Sequence, residues 1–431
     1  MESKVVTRFA PSPTGHLHAG GYRTAFFSYL FAKKHGGKFI LRIEDTDKER
    51  SKDEYTQEIL NVFAKIGIAY DEKYIQSEHV GRHKELLQKM IDDGNAYISR
   101  EEAKDGSGVI KDIIRFKNPN KVVTFDDLIR GSISTDTTDL GDFVIAKNLE
   151  EPLFHLAVVI DDHDEGVTHV VRAEEHIANT PRQILIHEAL GFAIPQYAHL
   201  PLVLAPDKTK MSKRKGAIPV VDYLQQGYLP GALLNAICLC GWNPGTEQEI
   251  FSRAELEQVF DLDKVQKAGA VFNKEKLDWF NREYIKKLSS PDFITHAKTF
   301  APSWVNEEMI VSVEQMLRER IVKFADVAVF FEESKYLFQD PTVPENMLVW
   351  KTDTLENAKM HIAKARELLA GVQEWNLESI KDAVMPYATE VGKGNVLWPM
   401  RVALSGQERS PDPFEIASII GKDATLRRLQ K

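Results

Sequence analysis

The sequence predicts an α/β fold built on a parallel sheet, followed by an all-helical region. The first 45 residues follow the order strand, glycine-rich loop, helix and strand, while nearly every segment after about residue 288 has helical periodicity. The composition, 43% hydrophobic and 28% charged, is that of an ordinary globular protein. At 431 residues the chain is long enough for about three domains.

The β-α-β pattern begins with an apolar strand at 5–10 and a loop at 10–21 that contains two prolines and three glycines. Gly36 and Gly37 end the helix, because glycine tolerates the left-handed backbone found past a helix C-terminus. The apolar run at 39–43 is the next strand, buried on both faces as in a parallel sheet. One face of the intervening helix carries Tyr22, Ala25, Phe26, Tyr29 and Leu30.

A second α/β stretch extends over 143–204, with strands predicted at 154–162, 168–175 and 199–206 and a helix at 181–190. The charged segment before it is interpreted as an insertion between the two halves of one sheet. The domain boundaries predicted from these patterns are 1–78, 79–142, 143–206, 207–288 and 289–431.

Charge and cysteine content limit the setting of the protein. The net charge of −9 does not indicate nucleic-acid binding, although an acidic body can hold RNA on a local basic face. The sequence shows no secretory signal and no apolar run of the ~18 residues that a membrane helix needs. Two cysteines, Cys238 and Cys240, are too close for an easy disulfide, and they predict a reducing, cytoplasmic setting.

The first motif is Pro-Ser-Pro-Thr-Gly-His-Leu-His-Ala-Gly-Gly, at 11–21. A helix N-terminus has free N–H groups and partial positive charge that suit a phosphate, and glycines let the backbone approach a ligand. His18, at the helix start, can donate a hydrogen bond to a phosphate oxygen. The pattern is neither G-x-G-x-x-G nor Walker A. Taken alone, it is more often a proline-rich loop with solvated histidines.

The second motif is Lys-Met-Ser-Lys-Arg, at 210–214, within a stretch that carries five basic side chains. Such a loop can neutralise a polyphosphate and close over it. Taken alone, it is more often a solvated basic loop, or one that touches RNA phosphates.

Together the two motifs resemble the HIGH and KMSKS signatures of class I aminoacyl-tRNA synthetases. The first departs from its signature after His18, except at Gly20, and the second ends in Arg214. Longer strings resemble the glutamyl-tRNA synthetase family, bacterial type, and the resemblance covers nearly the whole chain. These strings are RFAPSPTG, LRIEDTD, VVIDDHDEGVTHVVRAEEHIANTPRQI, GYLPGALLNAICLCGW, NVLWPMRVALSG and LRRL.

The resemblance implies a Rossmann-like parallel sheet, interrupted by an inserted acceptor-stem-binding subdomain at 79–142. A stem-contact region at 207–288 and an all-helical anticodon-binding domain at 289–431 follow. The implied activity is ATP-dependent activation of L-glutamate to glutamyl-adenylate and transfer to the 3′ end of tRNA(Glu). A non-discriminating enzyme that also charges tRNA(Gln), and a tRNA-binding regulatory paralogue without catalysis, are the alternatives.

The family's phosphate-stabilising and catalytic positions match His18, Lys210 and Lys213. Charge builds on the phosphates during activation, so positioned donors there supply rate. The whole implied ATP-binding set is Pro11, Gly15, His18, Gly20, Gly21, Glu175, Val203, Met211, Ser212, Lys213 and Arg214.

The implied glutamate pocket places Arg8 and Arg172 at the substrate carboxylates, since a guanidinium fork suits a carboxylate better than a neutral amide. Glu44 matches the carboxylate that receives the ammonium group. An ordinary ion pair at strand ends is the alternative for Arg8 and Glu44. Phe154 replaces a tyrosine of many relatives, a change for which His155 compensates. The whole implied set is Arg8, Ala10, Ser12, Glu44, Phe154, His155, Val158 and Arg172.

The remaining expectations concern metals and partners. Zinc is not expected, because the insertion has no cysteine and the two thiols present fall in an apolar helix pattern. Mg²⁺ is expected only as the partner of ATP. The family implies a monomer. Arg320 matches an arginine that reads the last anticodon base, with a solvated helix arginine as the alternative.

Overall fold

The computed structural model describes residues 4–102, 109–209 and 218–430. The chain divides into two compact units, Met1–Tyr284 and Ile285–Lys431. In the described part of the chain, no helix is both long and apolar enough to cross a membrane.

The first unit contains all the strands of the described chain. They are β1 Val6–Phe9, β2 Lys38–Ile43, β3 Glu72–Ile75, β4 Ala96–Glu102, β5 Ile110–Phe116, β6 Val122–Asp127, β7 Gly131–Asp136, β8 Phe143–Ala146, β9 His169–Ala173, β10 Gln196–Leu200, β11 Val203–Leu204 and β12 Ala270–Val271. The helices that begin in this unit are α1 Ala19–Lys34, α2 Asp53–Ile66, α3 Val80–Asp92, α4 Phe154–Asp164, α5 Thr180–Leu190, α6 Val220–Gln225, α7 Pro230–Leu239, α8 Arg253–Val259 and α9 Lys274–Lys287.

The main sheet has seven strands in the order β3-β2-β1-β9-β10-β6-β7. All neighbouring pairs are parallel except β6 and β7, which form an antiparallel hairpin at one edge. The predicted unit of strand, loop, helix and parallel strand is therefore confirmed in β1, α1 and β2. Its loop lies at the carboxyl edge of the sheet, where ligands bind in open α/β folds.

One predicted strand, at 154–162, is wrong: the chain there is the helix α4. Every residue of α4 from Leu156 to Asp162 is buried, and its apolar residues join the core with those of α5. A short run that is apolar on all sides lacks the periodicity that separates a buried helix from a buried strand. The strand predicted at 199–206 is two strands, because β10 ends at Leu200 and β11 pairs with β12 instead.

The segment at 79–142, expected as an insertion, contributes to two sheets. Strands β4 and β5 form a three-stranded antiparallel sheet with β8, whereas β6 and β7 extend the main sheet. The predicted outer limits of this segment, and the other domain boundaries, stay predictions.

The second unit is helical, as the periodicity predicts. Side-chain caps start several of its helices, including Ser289 for α10, Thr354 for α14 and Asn376 for α15. Its helices are α10 Ser290–Phe300, α11 Glu307–Ser312, α12 Glu314–Arg320, α13 Asp326–Glu333, α14 Leu355–Ala370, α15 Leu377–Val391, α16 Lys393–Ser405, α17 Pro413–Ile420 and α18 Lys422–Arg428.

Candidate active site

The loop at 11–21 sets His18 at the start of α1. His18 is the N-cap residue, and its Nδ1 accepts a hydrogen bond of 3.0 Å from the Gly20 backbone N–H. A neutral imidazole that accepts at Nδ1 carries its proton on Nε2. A Cβ at Gly20 would lie 2.9 Å from the His18 ring, which explains the glycine there.

Two other parts of the chain reach this loop. The Val203 side chain lies 3.5 Å from the position that a Gly20 Cβ would occupy. Pro219 forms an antiparallel bridge with His18, and the Val220 N–H donates to the Leu17 carbonyl at 3.4 Å. The described chain on both sides of 210–217 therefore lies against the loop. Five predicted site residues lie outside the described residues: Lys210, Met211, Ser212, Lys213 and Arg214.

A cavity of about 160 Å³ opens at the carboxyl ends of β1, β2 and β9. The loop reaches the same edge, because the Glu44 N–H donates to the Pro11 carbonyl at 3.0 Å. Six predicted glutamate-site residues line the cavity together with the predicted ATP-site residue Gly21. These six are Arg8, Ala10, Glu44, Phe154, Val158 and Arg172.

The other described residues of the two predicted sets do not line the cavity: Ser12 and His155 of the glutamate set, and Pro11, Gly15, His18, Gly20, Glu175 and Val203 of the ATP set. Ser12 and Glu175 are exposed, the latter in a 3₁₀ helix at Glu174–Asn179. His155 is half-buried, and burial together with the nearby Arg182 and Arg172 lowers its imidazole pKa to about 4. Gly15 is half-buried in the loop.

Arg8 is held by a buried charged network that the sequence did not reveal. Its Nε lies 3.0 Å from Asp162 Oδ1, and Arg42 approaches the same oxygen at 2.8 Å. Arg42 also pairs with Glu165 at 2.8 Å and with Glu44 at 3.3 Å. Arg8 and Glu44 are thus both ion-paired, but with other partners and not with each other.

Burial and charge act in opposite directions on this network. Burial opposes ionisation of Asp162, yet the charges of Arg8 and Arg42 outweigh it and hold the Asp162 pKa at about 2. Burial dominates at Glu44 and raises its pKa. The sequence did contain a signal for this network. Arg42 and Glu44 stand in one apolar run and Asp162 stands in another, and charged residues that are buried in such runs require partners.

Arg172 is held by neutral acceptors. Its Nε donates to His199 Nε2 at 3.1 Å, its Nη1 to Gln183 Oε1 at 2.7 Å and its Nη2 to Thr180 Oγ1 at 2.7 Å. The guanidinium also lies over the Tyr197 ring, 5.3 Å from its centre. Burial lowers the pKa of Arg172 to about 10, which leaves it protonated at neutral pH. The sequence analysis singled out Arg172 but none of these four partners, and the role of Arg172 in binding stays a prediction.

His176 also lines the cavity, and its ring centre lies 5.9 Å from that of Phe154. Burial, then the charge of Arg172, lower the His176 pKa to about 4, so the ring is neutral there. It falls in the longest quoted string but was not singled out, because a lone histidine carries no spacing signal.

Arg320 belongs to the second unit and is described within it. It is the exposed last residue of α12, and its Nη2 lies 4.0 Å from Glu415 Oε2. That distance is the limit of an ion pair, and an exposed pair of this kind contributes little to stability.

In the described ranges, no group of three or more His, Cys, Asp or Glu side chains is arranged to hold a metal ion. Cys238 and Cys240 are free and buried, and burial raises both thiol pKa values. The absence of zinc from the protein stays a prediction.

The loop before α1 lies beside a pocket lined by two arginines and a glutamate, at the carboxyl edge of the sheet where ligands bind in open α/β folds. The chain matches the family "tRNA synthetases class I (E and Q), catalytic domain" over 4–106 and 98–279. It also matches "Anticodon binding domain" over 292–431.

Similarity to individual relatives shows which family within this class the chain belongs to. The chain is 37% identical to the glutamate–tRNA ligase of Desulforamulus reducens, covering 98% of each chain. It is 38% identical to that of Nitrosospira multiformis, covering 99% of this chain and 98% of the relative. A crystal structure of a glutamate tRNA ligase from Elizabethkingia meningosepticum, in complex with its amino acid, superposes with a TM-score of 0.88 at 30% identity over 99% of both chains. The chain therefore belongs to the glutamate–tRNA ligase family.

Proposed function

We propose that the chain activates L-glutamate with ATP and transfers the glutamyl group to tRNA(Glu). The observation that carries this proposal is the shared edge of the two predicted sites. Gly21, in the first turn of α1, lines the same cavity as Arg8, Glu44 and Arg172. A carboxylate held in that cavity lies next to the helix N-terminus that suits the phosphates of ATP.

In the first step, a carboxylate oxygen of glutamate attacks the α-phosphate of ATP, and pyrophosphate leaves. His18 is proposed to support this step, because it caps α1, and the N–H groups at that helix N-terminus suit developing phosphate charge. Lys210 and Lys213 are proposed to close over the phosphates from the other side. Val203 and Pro219, at the loop, support that placement.

The cavity accounts for the choice of amino acid. Arg172 retains a positive charge without a carboxylate partner among the described residues, which favours an acidic substrate over its amide. Glu44 is proposed to receive the ammonium group. Phe154 lines the cavity without a hydroxyl, so it contributes shape but no hydrogen bond.

In the second step, a hydroxyl of the terminal ribose of tRNA attacks the acyl carbon, and AMP leaves. The match of 292–431 to an anticodon-binding domain supports tRNA as the acceptor, with Arg320 proposed to contact the anticodon. Mg²⁺ is proposed to enter with ATP. Strict use of tRNA(Glu) and a monomeric state are part of the proposal, and the relatives' names do not indicate charging of tRNA(Gln).

The test is acylation of purified tRNA(Glu) and tRNA(Gln) transcripts with labelled glutamate and Mg-ATP, with labelled glutamine as the substrate control. We expect charging of tRNA(Glu) alone. The Lys213→Ala variant should fold normally and lose on the order of 10²–10³ in adenylate formation. Charging of both tRNAs would show the broader enzyme, and charging of neither by folded protein would favour a tRNA-binding paralogue.

A further inference from the structure

Three neighbouring strands of the main sheet carry a chain of hydrogen bonds that ends at the cavity. Arg172 on β9 and His199 on β10 are register partners, and Asp127 ends β6 on the other side of β10. Arg172 Nε lies 3.1 Å from His199 Nε2, and His199 Nδ1 lies 2.6 Å from Asp127 Oδ2. All three side chains are buried.

The ionised carboxylate of Asp127 fixes the donors and acceptors from Asp127 to Arg172. The Thr180 hydroxyl also lies 3.1 Å from His199 Nε2 and can donate to the same nitrogen. The Asp127 carboxylate accepts from the backbone N–H groups of Ile129, Arg130 and His199, at 3.0, 2.8 and 3.0 Å. Burial opposes its ionisation, but these bonds and that from the His199 ring outweigh burial and lower the Asp127 pKa. An ionised carboxylate only accepts, so His199 Nδ1 donates. Nε2 then accepts from Arg172, whose Nε is always protonated.

The bond to His199 completes a set of three that fixes the Arg172 guanidinium in its plane. Gln183 and Thr180 each accept one N–H from the two Nη atoms. Arginine has five N–H groups, so one remains on each Nη. Arg172 lines the cavity, and this pair of free donors matches the two oxygens of a carboxylate.

We propose that His199, held by Asp127, is a positioning residue that orients the Arg172 guanidinium toward a carboxylate of the substrate. The inference deepens the proposed function and rests on it. A carboxylate placed directly on Arg172 would orient it equally well but would neutralise its charge. The neutral imidazole supplies an acceptor while keeping the charge of Asp127 one side chain away.

A protonated His199 would lose the bond from Arg172, because its Nε2–H would face the Nε–H of Arg172 and could donate only to Thr180 Oγ1, 3.1 Å away. The charged and titratable groups around the ring are Asp127 on β6, Arg172 on β9, Arg130 after β6, His176 after β9 and Tyr197 on β10, whose ring stacks on His199 at 6.0 Å. Burial lowers the His199 pKa, so the ring stays neutral at neutral pH. Glutamate binding should weaken only in acid.

The experiment measures the KM for glutamate and for ATP in tRNA charging by the full chain. His199→Leu removes the acceptor, and we expect the glutamate KM to rise on the order of tenfold to a hundredfold, with the ATP KM changed less than about twofold. In His199→Gln the amide can accept from Arg172 and donate to Asp127, so the glutamate KM should be close to that of the wild type. His187→Leu, a second buried histidine that does not line the cavity, is the matched control.

Equal rises in both KM values, or an unchanged glutamate KM, would overturn the proposal. If His199→Leu does not fold, Asp127→Asn replaces it. The asparagine side-chain N–H can donate to His199 Nδ1, which moves the imidazole proton to Nε2, so this variant should also raise the glutamate KM. Failure of the wild type to charge tRNA would instead refute the proposed function. In that case ¹⁵N NMR of labelled histidine still decides the geometry, since a His199 proton on Nε2 would exclude the chain of bonds.

Discussion

The two arginines of the cavity are buried to a similar degree, Arg8 at 4% and Arg172 at 6% exposure, but their partners are of opposite kinds. Arg8 contacts the carboxylate of Asp162, within a network that also contains Arg42, Glu44 and Glu165. Arg172 contacts an imidazole, an amide and a hydroxyl.

The two kinds of partner affect the guanidinium in different ways, one through its charge and the other through its orientation. A carboxylate partner compensates a buried guanidinium but also weakens its attraction for a second carboxylate, whereas neutral acceptors orient it and leave its charge for a ligand. We therefore expect the side with Arg8 to matter more for folding and the side with Arg172 to matter more for substrate binding.

The largest expected effect is on stability. Asp162→Asn leaves Arg8 and Arg42 with less compensation and should lower the free energy of unfolding of the first unit by about 3–5 kcal/mol. On the other side, Gln183→Leu should cost about 1–3 kcal/mol, because one N–H of Arg172 loses its acceptor. Urea titrations measure both changes. Lys89→Ala, in an exposed pair with Asp93, is the control and should cost about 0–1 kcal/mol. A larger loss in Gln183→Leu than in Asp162→Asn would reverse the comparison.

The second prediction concerns how the stability of the charged network around Arg8 and Arg42 depends on pH through Glu165. Arg42 lies within 4.0 Å of four carboxyl groups and cannot neutralise them all. Burial raises the Glu165 pKa from 4.5 to about 8, so the folded state retains a proton that the unfolded state releases. This contribution is complete below pH 4.5 and is lost as pH rises through about 8.

Glu165→Gln stays neutral at every pH. We therefore expect it to gain stability relative to the wild type between about pH 5 and about pH 8.5, on the order of 2–4 kcal/mol. Denaturant titrations at several pH values measure the difference, with the exposed Glu150→Gln as the control. A difference that does not change with pH would show that Glu165 is ionised beside Arg42.

The third prediction concerns substrate binding. Arg172→Leu should raise the glutamate KM on the order of a hundredfold and Arg8→Leu about tenfold, each by more than the ATP KM, because only Arg172 has an uncompensated charge. Steady-state charging kinetics measure both. Equal effects of Arg8→Leu on the two substrates would assign Arg8 a purely structural role, and a larger effect than that of Arg172→Leu would contradict the comparison.

Much of this site could be predicted from the sequence, but not how it is held. Arg8, Glu44 and Arg172, which were singled out from the sequence, line one cavity, and His18 caps α1. The charged partners of Arg8 were missed because Asp162 falls in a run that was interpreted as a strand. In a strand the Asp162 side chain would point in a different direction from the one it has in a helix. The segment is the helix α4, in which Asp162 is buried and accepts a hydrogen bond of 3.0 Å from Arg8 Nε.

The sequence by itself determined the first β-α-β unit, the helical second unit and the family, because periodicity, glycine positions and contiguous motifs are local properties of the chain. Only the tertiary structure decided which partner holds each arginine. Arg8 and Asp162 are 154 positions apart, and His199 and Asp127 are 72 apart. The first pair joins a strand to the helix α4 and the second joins two neighbouring strands. No pattern within a single segment records which elements will pack together.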